Sequence, residues 1–412
     1  MGRRELAKSA VVALLLLGVI VGVNLRCASA LRRAEEAAQP KPSEPPIIAG
    51  HFPGFRIPEA PPDHTPDEAL ASGIDYLIKQ QSPDGAWRSD VYATFRDGAA
   101  LTPLVVCALQ ETGEPGASAA AVRKGCEYLA KLIKADGTTE GGEGALDYPA
   151  YTAALAVKAL SHPDQKDLLK ARDAWLKYLL DRQLTEKLGW KPEDKQYGGW
   201  GYCRLLPKKP EPNTVAPPLI ESNLSATVFA LEALQAAGVK DVQVHRAAER
   251  FLHRCQNEDG GFYFIYDDPV RNKAGGEGGR FHSYGSTTAD GLYALQLIGT
   301  EPARIESATQ WLVTHFRADT HPGKYVPAHE RNREAVYFYY AASVSKALRA
   351  AKVTDAGGKR WAEALSAELV KRQKADGSWA NPVELVRENE PLVATANAII
   401  ALANCKAAMR NN

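Results

Sequence analysis

The sequence has almost no net charge: 50 lysines and arginines stand against 49 aspartates and glutamates, a formal value of +1. A protein that grips nucleic acid through its phosphates carries a clear basic excess, so nucleic acid is not an expected partner. Cysteine is scarce, six in 412 residues. Cys27 lies in the N-terminal segment, and Cys107, Cys126, Cys203, Cys255 and Cys405 have no metal-like spacing. Cys107, Cys126 and Cys405 fall in apolar stretches and read as core. Cys203 and Cys255 are either two more buried thiols or a disulfide. One uncharged apolar run stands apart, at residues 9–25.

That run has a recognisable setting. Arg3, Arg4 and Lys8 precede the run, and the small-residue site Ala28-Ser29-Ala30 follows it. A positive segment, an apolar segment and an Ala-x-Ala site make an export signal. The Arg3-Arg4 pair also resembles a twin-arginine signal. Residues 1–30 are therefore expected to send the chain out of the cytoplasm, to the periplasm or cell surface. They are either cleaved or kept as a membrane tether through residues 9–25, which are barely long enough to span a bilayer. Residues 31–66 are rich in proline, including Pro40, Pro42, Pro45, Pro46, Pro61 and Pro62, and read as an extended linker.

From residue 67 to 412 the chain is periodic. The unit is an amphipathic helix, a turn with Asp-Gly or Gly-Gly and often an aromatic residue, then a more apolar helix. The turns are Gln81-Ser82-Pro83-Asp84-Gly85-Ala86-Trp87, a degraded Ala135-Asp136-Gly137-Thr138, Gln196-Tyr197-Gly198-Gly199-Trp200, Gln256-Asn257-Glu258-Asp259-Gly260-Gly261-Phe262, an irregular His321-Pro322-Gly323-Lys324-Tyr325, and Gln373-Lys374-Ala375-Asp376-Gly377-Ser378-Trp379. The second helices, near 101–109, 151–160, 226–237, 287–298, 337–351 and 393–403, are apolar on most sides, as buried helices are. They are expected to form an inner layer, with the first helices outside.

These Gln…Asp-Gly-x-Trp turns, with the lead-in Lys124-Gly125-Cys126-Glu127-Tyr128-Leu129, resemble the Gln-Trp repeats of squalene cyclases and the related repeats of protein prenyltransferases. The resemblance covers about residues 67–405. It implies an all-α (α/α)6 toroid of six helix pairs around a central cavity. The catalytic signatures of those families are missing. There is no Asp-x-Asp-Asp motif to protonate an alkene, and no Asp, Cys and His set to hold zinc; no metal and no cofactor is implied.

Candidate site residues come from the loops that lead into the inner helices. Asp290 lies near the start of one inner helix, where it reads as an acid or as a favourable charge at a helix N-terminus. Glu330 and Glu334 belong to the cluster His329-Glu330-Arg331-Asn332-Arg333-Glu334, in which Arg331 and Arg333 suit a polar or anionic ligand; Tyr337 and Tyr340 follow it. His282 and Tyr284 make a second group, with Ser286 expected as the N-cap of its helix. The loop from 184 to 218 reads as a lid, a binding surface or a stiff insertion. The functional reading favoured by the lost signatures is an exported toroid that binds a small molecule, a polysaccharide or a protein. The alternative is an enzyme working in the cavity, either terpenoid cyclase-like or a carbohydrate hydrolase or lyase with rim carboxylates.

Overall fold

A computed structural model describes residues 64–113, 116 and 118–410. The expected export segment and all but the end of the linker lie outside the described residues. The first helix, α1 (Pro66–Lys79), opens on a capping box. Glu68 N donates to Thr65 Oγ1 at 3.3 Å, and Thr65 N donates to the Glu68 carboxylate at 2.8 Å.

Among the described residues, twelve long helices follow the expected pairing. The outer members are α1, α3 (Ser118–Lys131), α5 (Leu169–Leu180), α7 (Val242–Cys255), α9 (Pro302–His315) and α12 (Trp361–Arg372). The inner members are α2 (Leu101–Glu111), α4 (Pro149–Leu160), α6 (Leu224–Ala236), α8 (Gly285–Ile298), α11 (Tyr337–Ala350) and α13 (Pro391–Arg410). The short α10 (Arg331–Ala335) precedes α11. Each inner helix packs on the next, and α13 packs back on α2, so the inner tier is a closed ring. The composition explains the tiers. Every residue from Leu101 to Leu109 of α2 is buried, whereas α7 buries one stripe, Ala247, Ala248, Phe251, Leu252 and Cys255. Helix α13 is long and apolar enough to cross a bilayer, but most of it is buried within the ring.

The turns hold neighbouring repeats together. Each well-formed Gln donates twice, to the Gly carbonyl of its own turn and to a carbonyl early in the next outer helix. Gln81 reaches Gly85 O and Ala121 O at 2.9 and 2.8 Å, and Gln256 reaches Gly260 O and Arg304 O at 3.2 and 3.0 Å. Gln373 reaches Gly377 O and, across the seam, Ala69 O of α1 at 2.8 Å. In the third turn this role falls to Gln183, which bonds Gly198 O and Val244 O. Gln196, the residue expected there from its place beside Tyr197-Gly198, leaves its side-chain oxygen without a partner. The insertion separates Gln183 from its turn, and spatial position rather than adjacency decides.

The indoles close the last turns of the outer helices. Trp87, Trp200 and Trp379 donate Nε1 to Leu77 O, Leu179 O and Leu369 O at 2.7–2.9 Å, tying each indole to carbonyls of the last helical turn. The second turn has no Trp, and Trp175 of the neighbouring α5 fills its place by donating to Leu129 O at 3.0 Å. The Gly198 turn is the tightest. Its φ is +96°, and a Cβ there would sit 1.8 Å from Ala247 O. Gly198→Ala is expected to destabilise the ring by more than about 2 kcal/mol, read as a lowered urea midpoint.

The long loop is packed rather than open. Leu184, Leu188, Trp190, Tyr197, Cys203 and Ile220 form a satellite core against Ala247, and Trp190 Nε1 donates to Pro207 O at 2.8 Å. Cys203 and Cys255 are both buried free thiols, as are Cys107, Cys126 and Cys405.

Candidate active site

The inner helices present polar and aromatic residues inward at helical spacing. Tyr151 and Lys158 share a face of α4; Ser225, Phe229 and Glu232 share a face of α6; Tyr339, Ser343 and Lys346 share a face of α11. Because every inner helix starts at the same end of the ring, equivalent positions form layers. The layer nearest the N-terminal ends is aromatic and hydroxylic. The layer nearest the C-terminal ends is charged.

Asp290 sits between them. It is the sixth residue of α8 and only 3% exposed. Tyr339 Oη donates to its Oδ2 at 2.7 Å, and the Ser343 hydroxyl is a second partner. Burial pushes its carboxyl up to about 6, outweighing those two bonds and the more distant Lys346; Glu232 adds to the rise. It lies beyond the first turn of the helix, and desolvation in a low-dielectric wall makes it a weaker acid than an ordinary carboxyl.

A continuous run of rings leads away from it. Tyr339 lies 6.3 Å from Phe229, Phe229 lies 5.1 Å from Tyr151, and Tyr151 lies 6.4 Å from Tyr148, between centroids. Tyr148 lies 5.8 Å from Tyr202, whose hydroxyl shares a 2.7 Å hydrogen bond with Ser225 Oγ. At the mouth is a cavity of about 480 Å³ whose lining includes Thr94, Tyr148, Tyr202, Arg204 and Arg387.

The floor is ionic. Glu232 is 4% exposed and pairs with Lys158 Nζ at 2.7 Å and with Lys346 Nζ. Glu111 lies 3.8 Å from Lys158 and 3.7 Å from Arg349, and accepts from Asn404 at 3.2 Å. Burial alone would raise the Glu232 carboxyl, but the two ammonium groups hold it down at about 2. A carboxyl lowered on folding stabilises the ring above its unfolded pKa, and that contribution is lost as pH falls from about 4.5 towards 2. Glu232→Gln leaves the partly buried Lys346 ammonium without its counter-ion and Lys158 with only the more distant Glu111. It is expected to cost about 2 kcal/mol, less than a wholly buried pair because Lys158 keeps some solvent, and to flatten the acid limb of a stability-against-pH curve.

The residues singled out from the rim loops lie elsewhere. Glu330 is exposed and pairs with Arg333 at 2.5 Å, while Glu334 pairs with Arg372 at 2.8 Å. Arg333 also donates to His321 O and Gly323 O, and Arg331 points to solvent. Tyr337 and Tyr340 have no exposed surface. Their hydroxyls donate to Ala318 O and Arg317 O, and Tyr340 stacks on His321 at 4.9 Å. Tyr284 is equally buried against His321 and Tyr325. His282 Nδ1 lies 2.7 Å from Lys324 O, on an outer groove. Of Tyr337, Tyr339 and Tyr340, it is Tyr339 that reaches the Asp290 carboxylate and the Phe229 ring. Ser286 is not the N-cap of α8, because the helix already begins at Gly285; its amide donates to His321 Nε2 at 2.8 Å. Glu388 is what starts α11: its carboxylate accepts from Phe338 N and Tyr339 N at 2.9 and 2.7 Å.

The residues that sequence reasoning left out include Glu111, Lys158, Ser225, Phe229, Glu232, Ser343, Lys346 and Arg387. The i, i+4, i+7 spacing of Ser225, Phe229 and Glu232, and of Tyr339, Ser343 and Lys346, within apolar helices was the available signal. Among the described residues no group of three His, Cys, Asp or Glu is placed to hold a metal ion.

No family profile and no curated sequence matches the chain. Solved structures do. A variant of the type II terpene cyclase MstE from Scytonema, in complex with geranylgeranyl dihydroxybenzoate, superposes with a TM-score of 0.56 at 15% identity, covering 84% of this chain and 97% of that one. An unsaturated glucuronyl hydrolase specific for heparin gives 0.54 at 14% identity, over 84% and 98%. A protein from Actinoplanes gives 0.54 at 15%, over 83% and 100%. At these identities the likeness is one of fold: this chain is an α/α toroid.

Proposed function

We propose that the ring is an enzyme in which Asp290 protonates an alkene of an apolar, polyene-like ligand held against the aromatic wall. The observation that carries this reading is the single carboxyl of Asp290, lifted to about 6 by burial and bonded to hydroxyls rather than to a cation. A protonated carboxyl gives its proton to a carbon–carbon double bond, leaving a carbocation. The next double bond closes on that centre, and loss of a proton from carbon ends the sequence. The ring faces of Tyr151, Phe229 and Tyr339 are suited to a developing cation, because aromatic quadrupoles attract positive charge. Tyr339 and Ser343 fix the carboxyl's orientation. The type II terpene cyclase with the same fold is consistent with such chemistry.

Carbohydrate acid–base chemistry is less well supported. It needs a second carboxylate free to act, and Glu232 is held ionised between two lysines. The test is incubation of the purified chain and its Asp290→Asn variant with squalene and with a geranylgeranyl hydroquinone, followed by mass and ring-count analysis of products. A polyene that binds wild type and is returned unchanged would make the ring a binding protein without chemistry. Cleavage of an unsaturated uronic disaccharide would move the reading to the hydrolase branch.

We also propose that the ring works outside the cytoplasm, on the strength of Arg3, Arg4, the apolar residues 9–25 and Ala28-Ser29-Ala30. Fractionation of cells that express the full chain tests this, and recovery in the cytosol alone would overturn it.

A further inference from the structure

Arg387 lines the cavity it shares with Tyr148 and Tyr202 in an unusual setting. Its backbone is left-handed, with φ +69°, a conformation that costs a non-glycine residue energy and that persists where surrounding structure over-determines it. The neighbours supply that constraint. Glu388 is buried with both oxygens on the amides of α11, and Glu390 is engaged by Ser89 and Leu392 N. Arg387 is thus one residue from one carboxylate and three from another, yet neither faces it.

Its guanidinium lies instead among rings, 5.3 Å from the centroids of Tyr92 and Tyr148 and 5.6 Å from Phe95. It donates to Tyr148 Oη. No carboxylate lies within ion-pair distance of it among the described residues, whereas the other arginine of this cavity, Arg204, is paired with Asp147 at 3.2 Å. A half-buried guanidinium has five N–H donors, and a hydroxyl bond with an aromatic cage leaves most of them unused. Such a cation suits a planar oxyanion, which it binds through two parallel hydrogen bonds.

The surroundings set what lies behind that anion. Leu205, Leu219, Pro217 and Pro218 form an apolar lip on the same cavity. Tyr148, which Arg387 touches, is the first ring of the wall that runs through Tyr151, Phe229 and Tyr339 to Asp290. We propose that Arg387 anchors the carboxylate head of an amphipathic ligand whose unsaturated tail lies along this wall. The inference rests on the chamber reading above and adds the head group to it. The charge is then fixed at one end, the reacting double bond at the other, and the register between them follows from the length of the tail.

The test uses the full chain at pH 8 in mild detergent with two probes of equal tail, geranylgeranoic acid and geranylgeraniol, titrated by tyrosine and tryptophan fluorescence. Wild type is expected to bind the acid at least about tenfold more tightly than the alcohol. Arg387→Met and Arg387→Gln are expected to lose that preference while their affinity for the alcohol stays within about twofold, and Arg387→Lys to keep part of it. Two variants guard against misfolding of either, and unfolding midpoints accompany both. Equal binding of acid and alcohol by wild type, or a preference that survives in both variants, overturns the anchor. Tight, Arg387-dependent binding with no conversion of either probe leaves the anchor standing and overturns the enzymatic reading alone. Binding of neither probe overturns both.

Discussion

Asp290→Asn is expected to lower turnover of a cyclised polyene by about 10²–10⁴-fold, the usual contribution of a positioned general acid, with little change in ligand affinity. Asn keeps the shape and still accepts the Tyr339 hydrogen bond, but it has no proton to give. The stability of the same variant should move the other way. The carboxyl of Asp290 is raised in the folded ring from an ordinary 3.8 to about 6. Between those values the folded state holds a proton that the unfolded chain has released, so stability falls as pH rises through roughly 4 to 6 and the penalty is complete above that. Asn removes the penalty, so at pH 7 the variant should be more stable by on the order of 3 kcal/mol. The groups that face Asp290 do not cancel this. Tyr339 and Ser343 are neutral, Lys346 lowers the carboxyl, and Glu232 raises it. Turnover of wild type should correspondingly fall as pH rises through about 6, because only the protonated acid works. A variant of unchanged activity, or one destabilised at pH 7, would remove Asp290 from the mechanism.

Trp379→Ala should be the most damaging single truncation in the fold, at about 3–5 kcal/mol. The side chain is fully buried, and its indole donates to Leu369 O at 2.7 Å. Its backbone amide donates to Thr395 Oγ1 at 3.0 Å. What distinguishes Trp379 from Trp87 and Trp200 is its partner. Its ring lies on Gly73 of α1, where an added Cβ would come within 2.7 Å of it, so it joins the last repeat to the first. Gln373 crosses the same seam to Ala69 O. Loss of the indole leaves a cavity at the one junction the chain does not cross by covalent continuity. Urea unfolding should show the lower midpoint. Trp87→Ala, within the chain's own continuity, should unfold with the seam intact; a Trp379→Ala loss well below that of Trp87→Ala would mean the seam carries no special load.

The repeats are visible in the linear order because turn chemistry is local. Asp-Gly-Ser-Trp at 376–379 and Pro-Asp-Gly-Ala-Trp at 83–87 carry their own reasons for a helix end followed by an aromatic plug. Where a repeat is supplied from a distance, local reading misses it. Gln183 is separated from its turn by the insertion, and Trp175 comes from a helix in the following repeat. The rim residues mislead for a related reason. Charge runs such as 329–334 are conspicuous in the sequence, but in the ring they pair with each other and with Arg372. The chamber groups lie singly within apolar helices, one per turn or two, and each resembles an isolated oddity until the helices are placed side by side.

Helix identity, pairing order and the greasier inner tier followed from the order of amino acids alone, because periodicity and turn residues act over a few positions. Which side of each inner helix meets the axis, that Asp290 meets Tyr339 while Tyr337 and Tyr340 do not, and that Glu232 is neutralised by two lysines were decided only by closure. Six helices must share one centre, and only their mutual rotation determines which side chains meet there.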